Sequence, residues 1–260
     1  MIIDTNTHLG HWPFRKLAHS DTDGFVRLMD GFGIAQAWVG AFEGVFYRDC
    51  GQANRDLLAQ IAGHEDRLVP WAAINPGFPG WEGDLSEAAE AGMVGVRLYP
   101  NYHGYTPEDA CCSDLFAALS ERGLPVAIYH KLVDERLHHW RCLVPPTELT
   151  LAPLVEGFPT LPIICCGVSL LSLGQLKQAP PGSQLYVETS RIEGTAGVAT
   201  LAEVIGADRV LFGSHAPYFY LEAALLKMVE SGLAEEDRQA ILHGNASRLL
   251  LRHSAQGWKA

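Results

Sequence analysis

Pro125-Val126-Ala127-Ile128-Tyr129-His130-Lys131 is an apolar run that enters on a proline and leaves on two basic residues. Val126 to Tyr129 shows no alternation of apolar and polar positions, so neither face is set aside for water. Strands that are covered on both faces read this way, and they belong to parallel sheets flanked by helices. Working outward, runs of the same kind recur at residues 2–8, 36–41, 68–75, 95–100, 125–131, 162–168, 184–191 and 209–217. Helix-length amphipathic stretches lie between them, at residues 23–32, 54–63, 85–91, 114–122, 151–157, 197–205 and 221–231. Several of these end near glycine, the usual C-terminal stop. Eight βα units in 260 residues match the roughly 250 residues of a closed (β/α)8 barrel. A doubly wound open sheet is the alternative, but no G-x-G-x-x-G follows the first run. No Ser/Gly-rich linker divides the chain, and residues 132–148 are absorbed as a rim loop. The expectation is one α/β domain, a (β/α)8 barrel over residues 1–260.

Composition narrows the function. With 48% hydrophobic and 19% charged residues, the chain can bury one large core. No run reaches the roughly 18 apolar residues of a membrane span, and Met1-Ile2-Ile3-Asp4 lacks the basic and apolar regions of a secretory signal. A net charge of −11 opposes nucleic-acid binding, which needs a concentrated basic face. The six cysteines are Cys50, Cys142 and the pairs Cys111-Cys112 and Cys165-Cys166, with no C-x-x-C spacing. Free thiols in a reducing compartment follow. The expected setting is cytoplasmic, with a small-molecule substrate and neither nucleic acid nor membrane as partner; the oligomeric state is left open.

In such a barrel, chemistry sits where strands end at the C-terminal rim. Histidine or cysteine falls there in four runs: His8, His130, Cys165 and His215. Asn6 and His8 are two residues apart and so share a face, predicted to be the lumen. One such histidine is usually a satisfied buried polar residue; three on one rim point to a site, because imidazole is the commonest switchable acid, base and metal ligand. Basic residues at three further strand ends, Arg97, Lys131 and Arg191, suit an anionic substrate, with pairing to rim carboxylates as their plainer role. Glu188 and Ser190 alternate toward the lumen, where Glu188 reads as a base, a substrate contact or a partner for an arginine. Tyr99 and His103 are read as lining the mouth, and His11, Trp12 and Phe14 as a wall after the first strand. His64, His138, His139 and His243 fall in helices or loops and are set aside.

The first segment, Ile3-Asp4-Thr5-Asn6-Thr7-His8-Leu9-Gly10 with Trp12-Pro13-Phe14-Arg15, resembles the opening of the amidohydrolase-related family. Val96-Arg97-Leu98-Tyr99-Pro100 resembles that family's fourth strand, Ile128-Tyr129-His130 its fifth, Val187-Glu188-Thr189-Ser190 its seventh and Leu211-Phe212-Gly213-Ser214 its eighth. Residues 241–250 look like its terminal helix. The resemblance implies a (β/α)8 barrel and a relation to metal-dependent hydrolases and to decarboxylases similar to aminocarboxymuconate-semialdehyde decarboxylase. It would put metal-binding histidines at Asn6, His8 and His130, a catalytic histidine at Cys165 and a metal-binding aspartate at His215. Only His8 and His130 match. An Asn amide is a poor zinc ligand, and His215 in place of aspartate removes an anionic ligand and the usual carboxylate base.

Three readings follow. In the first, His8, His130 and His215, with Asn6 beside them, hold a divalent ion, most plausibly zinc, whose water hydrolyses a small carboxylated lactone, ester or amide; Cys165 as a fourth ligand would make that metal structural. In the second, a metal-free lactonase or decarboxylase uses His130 or His215 as base while Arg97, Lys131 or Arg191 holds the substrate. In the third, the barrel is a non-catalytic ligand-binding descendant. Cys165 is also weighed as a thiolate nucleophile, against plain packing on an apolar strand.

Overall fold

Each apolar run becomes a strand, and the computed structural model describes them within residues 1–148, 150–177, 180 and 183–254. The strands are β1 (Ile3–Leu9), β2 (Gln36–Ala41), β3 (Leu68–Pro70), β4 (Ala72–Ala73), β5 (Val96–Leu98), β6 (Val126–Tyr129), β7 (Ile163–Cys166), β8 (Leu185–Glu188) and β9 (Val210–Leu211). Pairing is parallel throughout, in the orders β1-β2-β3 and β4-β5-β6-β7-β8-β9. β3 and β4 are halves of one stave: Trp71 N–H donates to Val39 O (2.8 Å) between them. The ends meet where Thr5 N–H donates to Phe212 O, His215 N–H to Asn6 O and His8 N–H to Ala216 O. Eight staves therefore close a (β/α)8 barrel, as the repeated βα pattern predicts.

The helices follow from local chemistry. In Thr22–Phe32, the Asp21 side chain accepts from Gly24 N–H at the start, and Gly33 (φ 67°) stops the last turn with its N–H on Asp30 and Met29 carbonyls. Phe25 and Met29 of that helix are buried. Among the described residues no helix is long and apolar enough to cross a membrane. Residues 132–148 form the expected rim loop, with one 3₁₀ turn at Glu135–Leu137.

Strand alternation separates two packed layers. Val39, Ala72, Leu98, Ile128, Cys165, Val187 and Phe212 lie in the layer between sheet and helices. Trp38, Trp71, Tyr99, Ala127, Tyr129, Ile164, Cys166, Tyr186 and Leu211 fill the lumen. Trp38 and Trp71 stack at 5.0 Å, and each such ring removes on the order of 200 Å² from water. The lumen is thus a packed floor, and the polar groups sit above it.

Candidate functional site

The site grows from β1. Its strand places Asn6 and His8 above the floor, and both are buried. Asn6 Oδ1 accepts from the Tyr129 hydroxyl at 2.6 Å, and its Nδ2 donates toward Ser190 Oγ at 3.4 Å. His8 Nε2 meets Tyr99 Oη at 3.0 Å, Arg97 Nη1 at 3.4 Å and Tyr129 Oη at 3.5 Å. A guanidinium can only donate, so its contact with Nε2 favours the tautomer with the ring's proton on Nδ1. That Nδ1 is buried with no partner. Burial first, then the charges of Arg97 and His215, hold His8 well below the usual histidine range.

His215 reaches the same place from the loop after β9, with φ 61°, a left-handed conformation uncommon for a non-glycine residue. Its ring stands edge-on to His8, centroids 5.3 Å apart. Nε2 donates to Leu132 O at 2.9 Å, which leaves the lone pair on Nδ1, again buried and unpartnered. Burial, with Arg191, Arg97 and Arg15 adding to it against the Leu132 bond, lowers His215 to about 3. The two rings are therefore complementary: one leaves a donor and the other an acceptor without a partner among the described residues.

An aromatic roof covers them. Phe42 stacks on His8 at 4.9 Å, Trp12 packs on Phe42 and Tyr218, and Tyr218 and Phe219 lie on His215 at 5.4 and 5.1 Å. His8 is 0% and His215 2% exposed. Arg15 holds the roof by donating to Tyr218 O (2.7 Å) and lying over its ring at 4.5 Å. Beyond Tyr218 and Phe219 opens a cleft of about 950 Å³, also lined by Asp134, Ser190, Ser214 and Lys227.

Charge gathers at this rim in an otherwise acidic chain. The Arg191 side chain is 11% exposed, and among the described residues it pairs only with Asp134, at 3.6 Å, while its Nε and Nη1 are buried without partners. Lys131 is buried close by; burial, then Arg191, lowers its pKa, against the pull of Asp134. Asp134 itself is held below the ordinary carboxylate range, chiefly by hydrogen bonds from Arg136. Buried donors without acceptors are costly unless a ligand satisfies them.

Several sequence expectations need correction. His130 lies one residue past β6, half-buried, with Nδ1 on Thr147 O; burial, then Lys131 and Arg191, lowers it against the Thr147 bond. Cys165 lies in the helix-facing layer, its thiol raised by burial to about 12, so it is neither nucleophile nor ligand. Cys166 is the inward cysteine. Arg97 is 1% exposed and spends its donors on Thr7, Trp38 and Thr5 carbonyls, not on substrate. Glu188, 0% exposed, takes Gly167 N–H, Ser190 N–H and Ser190 O–H on its two oxygens. It ties β7 to β8, and a Cβ on Gly213 would lie 2.4 Å from it. His103 bonds Gly44 O.

The residues present do not fit the expected zinc. Asn6 is committed to Tyr129 and Ser190, His8 Nε2 faces a guanidinium, His130 Nδ1 is held by Thr147 O, and His215 Nε2 is tied to Leu132 O. Among the described residues no three His, Cys, Asp or Glu side chains gather in a way that could hold an ion. Sequence reasoning missed Tyr129, Phe42, Tyr218, Phe219, Arg15 and Asp134. The alternation that puts Lys131 at the lumen also puts Tyr129 there, so that one was legible; the roof depends on loop conformation and was not.

A family model described as Amidohydrolase matches residues 3–252. No curated protein sequence matches the chain significantly. Among solved structures, the chain is similar to a dihydroxybenzoic acid decarboxylase from Polaromonas sp. JS666 with bound manganese and the inhibitor 2-nitroresorcinol, with TM-score 0.76, 20% identity and 99% of each chain covered. It is also similar to a 2,6-dihydroxybenzoate decarboxylase from Rhizobium (TM-score 0.74, 18% identity, 96% of this chain and 98% of that one). A third is a 4-oxalomesaconate hydratase from Rhodopseudomonas palustris (TM-score 0.73, 17% identity, 98% and 97%). At these identities the likeness establishes the fold.

Proposed function

The chain belongs to the amidohydrolase family, and from that premise we propose that it hydrolyses a small carboxylated lactone or ester without a bound metal, using His215 as general base. The observation that carries this is the pair of facing imidazoles, His8 with a donor and His215 with an acceptor, each lacking a protein partner at Nδ1. Arg191 and Lys131 hold the substrate carboxylate at the rim; two unpaired guanidinium donors support that role. Among the structurally similar decarboxylases, one is complexed with 2,6-dihydroxybenzoate and another with manganese and the inhibitor 2-nitroresorcinol.

The steps use the chain's own groups. Substrate enters from the cleft as Tyr218 and Phe219 move aside. Its carboxylate offsets the charge of Arg191, one of the influences that depress His215, so the base strengthens when substrate arrives. His215 Nδ1 takes a proton from water as the oxygen attacks the carbonyl carbon. His8 Nδ1–H donates to the developing oxyanion, and a desolvated donor of this kind contributes about 3 kcal/mol. On collapse, the leaving oxygen takes the proton back from His215. Six free cysteines suit a cytoplasmic location for such an enzyme.

The test is turnover of carboxylated lactones, esters and aromatic acids in the presence of a strong chelator. Expected is hydrolysis that survives chelation and falls at least 100-fold in His215→Gln. Loss with chelator and recovery with zinc or manganese would overturn the metal-free reading. Release of carbon dioxide from the acids would replace hydrolysis by decarboxylation, and saturable binding with no product would leave a ligand-binding protein.

A further inference from the structure

Arg97 is a full positive charge in the barrel lumen with no carboxylate among its hydrogen-bond partners. Its Nη1 donates to Thr7 O at 2.6 Å, and its Nη2 to Trp38 O at 2.7 Å and Thr5 O at 3.4 Å. Main-chain oxygens thus surround the guanidinium much as they would surround a bound cation. The remaining contact of Nη1 is His8 Nε2 at 3.4 Å. Gly40 makes this possible, since a Cβ there would lie 2.9 Å from Nη1 and 3.0 Å from Cδ.

We infer that Arg97 is a resident cation occupying the place beside His8 that a divalent ion would need, and that it fixes His8 as a hydrogen-bond donor at Nδ1. Three features support this. Guanidinium nitrogens carry no usable lone pair and keep their protons, so Nε2 of His8 can face Nη1 only as an acceptor. Tyr99 Oη, at 3.0 Å, presents a second hydroxyl to the same nitrogen. An ion bound at that nitrogen would displace both contacts and stand against a like charge in a low-dielectric lumen, where repulsion is strong. Arg97 touches no part of the open cleft and acts only through the imidazole. It is a positioning residue.

The experiment is a long-range ¹H–¹⁵N spectrum of the whole protein at pH 7, with His8 assigned by its loss in His8→Gln. Expected is a protonated Nδ1 and a bare Nε2; a protonated Nε2 would overturn the inference. Addition of Mn²⁺ to millimolar concentration is expected to leave the His8 resonances sharp, whereas stoichiometric broadening would overturn it. In Arg97→Met the His8 ring is expected to populate both tautomers and to protonate closer to pH 6.5. An unchanged tautomer and titration in that folded variant would show that Tyr99 alone sets the ring, and would overturn the role of Arg97. If Arg97→Met does not fold, Gly40→Ala serves instead, because its new Cβ pushes Nη1 away. None of these readouts needs turnover: a protonated Nε2 would also remove the oxyanion donor of the proposed hydrolysis, whereas failure of that hydrolysis would leave the tautomer and the exclusion of the ion standing.

Discussion

His215 shows how a side chain gains chemistry from what it cannot reach. Its Nε2 is satisfied by Leu132 O and its Nδ1 by nothing, and an unsatisfied buried acceptor costs roughly 1–3 kcal/mol. A folded chain carries that cost where a ligand relieves it. Arg191 makes the same argument with two donors. Arg191→Met is therefore expected to weaken binding of a small carboxylate by on the order of 100-fold, the usual loss when one partner of a buried charge pair is removed. Calorimetric titration reads it. Because the ion pair of Arg191 with Asp134 is a loose 3.6 Å, the melting temperature should move little; equal affinity in the variant would remove Arg191 from the site. Asp134, lacking from the sequence reading, is the pair's other half, and it went unseen because it lies in a loop whose path no periodicity encodes.

At the scale of the strand, two-residue alternation decides which of two neighbouring groups faces the chemistry. Tyr129 faces in while Ile128 faces out; Ile164 and Cys166 face in while Ile163 and Cys165 face out. The eight strands and their helices were legible because apolar runs and glycine stops are local signals. The site was half legible. His8, His130, Cys165 and His215 were all found as strand-end residues, and for Cys165 the parity of its own strand was passed over. Two predictions follow from parity. Cys165→Ser puts a hydroxyl into the apolar layer and should cost about 1–3 kcal/mol of stability with ligand affinity unchanged; a matching loss of affinity in titration would return Cys165 to the site. Gly40→Ala crowds Arg97 and should cost about 1–3 kcal/mol, lowering the melting temperature by roughly 3–10 °C for a chain of this size. An unshifted melting curve would mean the lumen has room that its packing denies.

The whole molecule sums its buried charges, and their signs oppose one another. His215 is lowered to about 3, His103 to about 4 and His8 well below its ordinary 6.5, in each case mainly by burial. The unfolded chain protonates these groups below pH 6.5 while the fold does not, so stability is lost as pH falls through that window. Asp4 runs the other way. Burial raises it to about 7 despite hydrogen bonds from Ser214 and Asn6, so the fold keeps a proton that the unfolded chain releases between about 4 and 7, and stability falls as pH rises there. From pH 4.5 to 6.5 three histidines outweigh one carboxyl, a net two protons over two pH steps, or about 6 kcal/mol as an upper bound at ~1.4 kcal/mol per proton and step. His130, also lowered by burial, adds to the same side. At pH 6.5 the histidines of the unfolded chain are still half protonated, so their contribution goes on rising and offsets the loss from Asp4. Stability should therefore drop steeply on the acid side and level off above about pH 7. Urea unfolding at a series of pH values measures this. Asp4→Asn, which stays neutral, should remove the opposing slope and steepen the acid limb; a variant whose slope between pH 4.5 and 6.5 is unchanged would show that Asp4 titrates near its ordinary value in the fold.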